Sequence, residues 1–503
     1  MNKKSTRYRL YEMIPGIVAW FVIFFPIWGS FLLPKAVAYF VIAFLVYWLY
    51  QSFKSALFAI RGYFLIISSQ KTNWLLQFNQ DFRANWLIYR DIQHVVIISS
   101  YREPIAVIEM AFSSLASQID IDLNKINVIL AQEARAGHDS NRATLNYFNN
   151  KYKNVFGSLI FTSHPSDTIG EIAGKHSNEA FAAKYFKKKF LDIENCKLKI
   201  ENCTLTSCDV DTIFNPKYFS ALTYNFAKNP ERYYRFWQSP IFWHHNINNV
   251  PAPTRIIGTM GNVIHLANIQ EPDGLFFNYS CYSSSYCLID SAGYWDPDMI
   301  SEDWHIFLQS FFVSGGRASV EPIFLPTIAD APSGTNYFNA LKNRYNQCLR
   351  HAWGAIDIPY ALEQSRLHPE IPLLTRLMRI FKLIQTLFIW SSNWFILTLG
   401  TSLPVLLNPH FFNTSLGYNL PRISNIILTI CLIPLSVLII LDWKLRPKSQ
   451  KQGFKNILQN IFQWPLMPLA TLVLSVLPGL HSHTRLLFGR QLEYKTTAKK
   501  ATN

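Results

Sequence analysis

Asp209 and Asp211 stand one residue apart at the end of a hydrophobic stretch, and Glu302-Asp303 and Gln347-Cys-Leu-Arg350 follow further along the chain. Side chains alternate along a strand, so Asp209 and Asp211 face one way while Val210 turns into the core. Two carboxylates so placed hold Mg2+ or Mn2+, ions that accept carboxylate oxygens together with substrate phosphates. Glu302 and Asp303 open a helical pattern, DWHIFLQSFFV, and one of them can take a proton from a hydroxyl. Gln347 and Arg350 are three residues apart on one helix face, where Arg350 offers a cation to a phosphate. Each piece also has a plain structural reading. These are a solvated turn, an acidic pair favoured by a helix dipole, and an interfacial helix whose Arg meets lipid phosphates.

The elements that must position these residues follow from hydrophobic periodicity. HVVIISS (94–100), INVILAQE (126–133), FGSLIFTSH (156–164) and CTLTSCD (203–209) read as strands. Helical patterns alternate with them, over PIAVIEMAFSSLASQ, 139–152 and 174–191. Strands alternating with helices imply an α/β domain with a mostly parallel sheet and helices on both faces. Ligands bind such sheets at the carboxyl ends of the strands, where Tyr101, Glu133 and Asp209 all fall.

The chain has 503 residues, half of them hydrophobic and 15% aromatic, with a net charge of +15. Its apolar residues concentrate at both ends. Residues 14–33 and 36–50 form a hairpin of spans around Pro34-Lys35. Lys3, Lys4, Arg7 and Arg9 precede it and Lys54 and Arg61 follow, so both flanks, and hence the middle of the chain, are expected in the cytoplasm. Residues 373–383 carry Arg376, Arg379 and Lys382 at helical spacing, as an interfacial helix would. Segments 384–407 and 422–441 then cross outward and back. The last stretch, 457–480, contains Pro465, Pro468 and Pro478 and is expected to be broken, re-entrant or interfacial, leaving the C-terminus cytoplasmic. The basic balance fits a membrane surface and a phosphorylated substrate; without a basic stripe interleaved with aromatics, nucleic acid is not expected. The seven cysteines form no C-x-x-C pair, and Cys203 and Cys208 read as small core residues. His244-His245, His481 and His483 read as surface or interface residues, Asn278-Tyr-Ser280 as a coincidental glycan-acceptor triplet, and 255–270 as core or an acceptor path.

Y-R-E-P (101–104), G-K-x-x-N (174–178), D-V-D (209–211), S-E-D-W (301–304) and Q-C-L-R-H-A-W-G (347–354) together resemble the family-2 glycosyltransferases. The membrane-bound branch with cellulose, hyaluronan and chitin synthases looks closest. The resemblance covers residues 90–360 and implies a GT-A fold, a nucleotide-sugar donor (usually a UDP-sugar), a divalent metal and inversion at the anomeric carbon. It implies that Tyr101, Glu103 and Glu133 line the nucleoside pocket with Lys175 beside it, that Asp209 contacts the nucleotide and Asp211 the metal, and that Asp303 is the general base beside Glu302. Gln347 and Arg350 would sit near acceptor and diphosphate. Arg102 stands where Asn is common, Glu133 where Asp is usual, and His351 where Trp is usual; the last weakens an inference of processive synthesis.

The chain is accordingly divided into a transmembrane hairpin (1–55), an amphipathic helical connector (56–91), a cytoplasmic glycosyltransferase domain (92–370), interfacial and transmembrane helices (371–484) and a basic cytoplasmic tail (485–503). The expected partners are the donor, a glycan or lipid-linked acceptor, and membrane lipid. Polysaccharide synthesis at the membrane leads; transfer of one sugar to a polyprenyl phosphate and a catalytically silent donor-binding scaffold are the alternatives.

Overall fold

Strands β1 (Gln93–Ser100), β2 (Ile126–Glu133), β3 (Ser158–His164) and β4 (Cys203–Asp209) pair in parallel in the order β3-β2-β1-β4. The computed structural model describes residues 6–192, 198–271, 275–448 and 453–492; Cys196 and most of the basic C-terminal tail lie outside them. A parallel strand covered on both faces needs apolar side chains on both, and β2 is buried at every position. In β1, Val95 and Ile97 pack with the helix Lys175–Phe186, while Val96 and Ile98 pack with the helices Ile105–Ala116 and Tyr218–Lys228. Each of these four wholly buried aliphatics contributes about 1.5–3 kcal/mol.

Beyond β4 the sheet continues through β7 (Tyr282–Ser285), β5 (Arg235–Gln238) and β8 (Ser319–Pro322), with β7 antiparallel to both neighbours. A separate two-stranded ribbon joins β6 (Ile241–Phe242) to β9 (Thr327–Ile328). The fold is thus α/β, with a mostly parallel seven-stranded sheet, helices on both faces and apolar helices near both ends of the chain.

Among the described residues, five helices are long and apolar enough to cross a membrane: Thr6–Leu32, Pro34–Lys71, Leu373–Thr398, Ser415–Leu445 and Trp464–Leu487. Two differ from the sequence reading, and the last carries the expected breaks. The second runs on past residue 50 to Lys71, because no Pro follows Pro34 within it and its one glycine, Gly62, is held in close contact with Leu266 and Gln270. The expected interfacial helix over 373–383 is the first part of the continuous helix Leu373–Thr398. Its Arg379 turns inward, with its guanidinium 4.7 Å from the Phe307 ring centroid and 5.4 Å from that of Phe277, rather than toward lipid phosphates. The prolines of the last stretch produce a 3-10 turn at Trp464–Leu466, and a π turn follows at Leu472–Val476. That run is tethered at both ends. Trp464 and Met467 pack with Met260 and Val263, and Arg9 donates to the carbonyls of Leu486 (2.7 Å) and Leu487 (2.5 Å).

A buried polar network joins the α/β domain to these helices. Asp442 accepts from Asn262 (2.9 Å) and Arg446 (2.8 Å) and pairs with His244 at 2.9 Å. Arg446 also donates to Thr259 at 3.0 Å and to Asn460 at 2.8 Å. His244, read as a surface or interface residue, is fully buried at this junction. Removing one member of a buried ion pair leaves its partners uncompensated. Asp442→Ala is therefore expected to cost about 3–5 kcal/mol, seen as a lowered melting temperature of the detergent-solubilised protein; an unchanged melting temperature would contradict the role given to this network.

Candidate active site

The site begins at a helix start that breaks a local rule. Lys175 is the first residue of the helix Lys175–Phe186, where the helix dipole disfavours a cation. Four carboxylates surround its ammonium instead. Asp209 lies at 3.0 Å, Glu302 at 3.6 Å and Glu179 at 4.0 Å, while the field of Asp303 also reaches it. Nζ donates as well to the Ser280 carbonyl at 2.9 Å. Burial alone would depress the lysine, but Asp209 and its neighbours raise it well above its ordinary value. Asn178, one turn on, donates to the Ala131 carbonyl at 2.7 Å and so fixes this helix against β2.

Ser280 is the second organising residue. Its amide donates to Asp303 Oδ2 at 2.7 Å and its hydroxyl to Asp209 Oδ2 at 2.6 Å. It does so with φ at +56°, a left-handed conformation that is costly for a residue with a Cβ and that clusters at functional sites. Asn278 donates to the Asp303 carbonyl at 3.0 Å. The triplet Asn278-Tyr-Ser280, set aside in the sequence as a coincidental glycan acceptor, thus aligns two of the carboxylates.

Asp303 lies in the first turn of the helix Glu302–Val313. Its Oδ1 has no hydrogen-bond partner among the described residues. Burial, then the charge of Glu302, pushes its carboxyl up to about 7, although Lys175 and the Ser280 amide pull the other way. Glu179 accepts from Ser207 at 2.9 and 3.1 Å and from Ser99 at 3.3 Å, and burial pushes it up to about 8. At neutral pH Glu179 is thus largely protonated, which lowers the charge that one lysine must balance. Glu179 was not singled out in the sequence, although its spacing of four from Lys175 on one helix was a usable signal.

Asp211 has different partners from Asp209. Val210 enters the core as expected, but Asp211 lies past the strand in a turn, where its Oδ2 accepts from the Asp330 amide at 3.2 Å. Asp330 in turn pairs with His245 Nδ1 at 2.7 Å. Hydrogen bonding to Asp330 raises the His245 imidazole against the cost of burial. Among the described residues no group of three His, Cys, Asp or Glu side chains stands together as a resident metal site requires. Mg2+ and Mn2+ are commonly held by one or two carboxylates plus substrate phosphates, so an ion that arrives with a diphosphate needs no larger resident cluster.

The remaining predicted residues fall in two further places. Tyr101, Glu103 and Glu133 gather at the ends of β1 and β2. Arg135 bonds Glu133 and lies 4.3 Å from the centre of the Tyr101 ring, and Glu103 accepts from the Ser100 hydroxyl at 3.1 Å and from the Tyr101 amide. Arg102 takes φ +61°, a conformation Asn adopts most readily, and its guanidinium bonds the carbonyls of Ala136 and Arg135. Gln347 and Arg350 lie on the helix Tyr337–Ala352, with Gln347 accepting from Arg344 at 2.7 Å. Burial depresses the neighbouring His351, and the charges of Arg344 and Arg350 lower it further while Asp209 opposes them. Directly after this helix, Gly354 packs against Ser301 and Trp304; a Cβ there would sit 3.1 Å from Ser301 Oγ.

No protein-family model matches this sequence, and no curated protein matches it. Among solved structures, the mannosyltransferase from Pyrobaculum calidifontis in complex with GDP-Man and Mn2+ is similar over 87% of this chain and 100% of that chain, at 10% identity and a TM-score of 0.45. A likeness so shallow assigns neither family, donor nor metal.

The protonated state of Glu179 makes a testable contribution to stability. Its value in the folded protein, about 8, lies above the ordinary 4.5, so its contribution is complete below about pH 4.5 and is lost as pH rises through about 8. The melting temperature of the wild type is expected to fall over that window, and Glu179→Gln should flatten the fall and raise stability at pH 8. Identical slopes for the two proteins would contradict a buried, proton-holding Glu179.

Proposed function

We propose that this protein transfers a sugar from a nucleotide-sugar donor to an acceptor hydroxyl at a membrane, with inversion at the anomeric carbon. The observation that carries the reading is Asp303: one carboxylate oxygen is fixed by the Ser280 amide, the other has no hydrogen-bond partner among the described residues, and burial pushes the carboxyl up to about 7. A general base works best when its pKa is near the operating pH. Asp303 would take the proton of the acceptor hydroxyl as that oxygen attacks the anomeric carbon from the face opposite the diphosphate. The bond to the diphosphate oxygen breaks, and the nucleoside diphosphate leaves.

Asp209 and Asp211 would hold Mg2+ or Mn2+ with the donor, and the ion, when bound, neutralises charge on the departing diphosphate. Tyr101, Glu103 and Glu133 would receive the nucleoside at the ends of β1 and β2, with Lys175 beside the diphosphate. Gln347 and Arg350 would face the acceptor and the diphosphate. The expected order of motifs supports the membrane-bound branch of family 2, with UDP-sugars as its usual donors and polysaccharide as its usual product. The catalytic domain would face the cytoplasm, where nucleotide sugars are made, as the basic flanks of the first two helices require.

The test incubates purified protein in membranes with a panel of nucleotide sugars and Mg2+ or Mn2+, reading release of nucleoside diphosphate. Asp303→Asn should lower turnover by at least about a hundredfold while nucleotide binding persists, as loss of a general base does. The wild-type rate should rise with pH through an apparent value near 7, because Asp303 acts in its ionised form. Nucleotide binding without turnover in the wild type would favour the silent-scaffold alternative, and full activity in Asp303→Asn would remove the base.

A further inference from the structure

We propose that Cys208 and Cys281 are a modification site, where hydrogen peroxide reaching the carboxylate cluster joins them in a reversible disulfide that locks the end of β4 to the chain carrying Ser280. The lock is independent of the reaction the site performs.

Sheet register brings the two thiols together. Strands β4 and β7 are antiparallel, with Ser207 opposite Tyr282. One residue beyond that pair Cys208 meets Cys281, and one residue further the Ser280 hydroxyl donates to Asp209 at 2.6 Å. An observed pair therefore brackets the cysteines on each side. Residues directly opposite on antiparallel strands share one face of the sheet, and both cysteines pack in the same cluster with Phe214, Tyr218 and Phe219. Cys208 donates to the Asp209 carbonyl at 3.2 Å, and its sulfur is the hydrogen-bond partner of the Cys281 thiol. Opposed residues have Cα atoms about 4.5–5.5 Å apart, inside the range of about 4.4–6.8 Å that a disulfide spans. Two other thiols are engaged elsewhere. Cys203 donates to the Lys199 carbonyl at 3.2 Å, and Cys348 to the Ser475 carbonyl at 3.6 Å.

Burial keeps the pair reduced in the resting protein. Both side chains are wholly buried, and burial, then the bond to Cys208, pushes the Cys281 thiol well above its ordinary value. A protonated thiol is a poor nucleophile, so oxidation is slow. The way in is short. The Asp209 side chain is 32% exposed, and a molecule as small as hydrogen peroxide that reaches the Asp209–Ser280 bond is one residue from both cysteines. There one sulfur attacks a peroxide oxygen: an S–O bond forms, the O–O bond breaks, and the departing hydroxide takes the thiol proton as water. The second sulfur attacks the sulfenic sulfur, an S–S bond forms, the S–O bond breaks, and the hydroxyl leaves with the second thiol proton as water. Two thiols are oxidised and one peroxide is reduced to two waters. The new bond lies directly behind the Ser280 amide and hydroxyl, which hold Asp303 and Asp209. It removes from opened states the freedom of these two chain segments to part.

The test treats the full chain in nanodiscs with hydrogen peroxide, blocks the remaining thiols by alkylation, and maps peptides without reduction. A peptide pair linked through Cys208 and Cys281 should appear, and dithiothreitol should remove it. Hydrogen–deuterium exchange over residues 278–285 should slow about tenfold in the oxidised protein and recover on reduction. Cys208→Ala and Cys281→Ala should each abolish the link and the change in exchange; where one fails to fold, the other serves, and the wild-type map decides. No linked pair at a peroxide dose that oxidises the exposed Met378 overturns the proposal, as does linkage of either cysteine to a different one. A link that leaves exchange at 278–285 unchanged removes the lock.

Discussion

A single ammonium group, on Lys175, is what the carboxyl end of the parallel strands is built around. Asp209, Glu179 and Glu302 approach it within 4.0 Å, and Asp303 stands in the same field. Carboxylates so close together repel one another, and one cation cannot balance them all. The molecule meets the constraint by division of state. Glu179 and Asp303 are pushed upward by burial, whereas Asp209 stays close to the lysine and to the Ser280 hydroxyl. A carboxyl poised near neutrality is thus a consequence of crowding rather than a separate device.

The fold delivers these groups from four separate stretches of chain. Lys175 and Glu179 come from one helix, Asp209 from the end of β4, Ser280 from the loop before β7, and Glu302 and Asp303 from a helix start. Rigidity comes from behind. His305, two residues after Asp303, bonds Asp357 at 2.7 Å and lies 3.4 Å from Asp296. Burial opposes its protonation, but the two carboxylates prevail and raise it to about 9, so at neutral pH it is a cation tying the Asp303 helix to the segment that leads toward the apolar C-terminal helices. Glu271 plays the matching part at the boundary, bonded by Lys54 at 2.8 Å and by Lys382 from two different apolar helices. The soluble and membrane parts are therefore coupled by buried charge as well as by apolar packing.

The four parallel strands were legible because strands covered on both faces carry unbroken β-branched runs. The other half of the sheet was not, since β7 is Tyr-Ser-Ser-Ser and β5 only four residues long. Their pairing is made by backbone groups and carries little hydrophobic signal. In the site, Asp209, Asp303 and Lys175 stood out as charges inside motifs, and they do meet. The roles of Ser280 and Glu179 were passed over for opposite reasons: the first acts through its backbone amide as well as its hydroxyl, at an unusual φ, and the second, though four residues from Lys175, through a proton held by burial. Arg379 misled because helical spacing of basic residues in an apolar run cannot distinguish a lipid-facing cation from one turned onto phenylalanines.

The claim that Lys175 sets the protonation of its neighbours can be measured without turnover. Infrared difference titration of the detergent-solubilised protein follows the protonated carboxyl band, with Asp303→Asn used to assign the Asp303 component. Wild type should titrate that component near pH 7, and Lys175→Met should move it to higher pH because the cation that lowers it is gone. A midpoint that stays in place when the ammonium is removed would contradict the account.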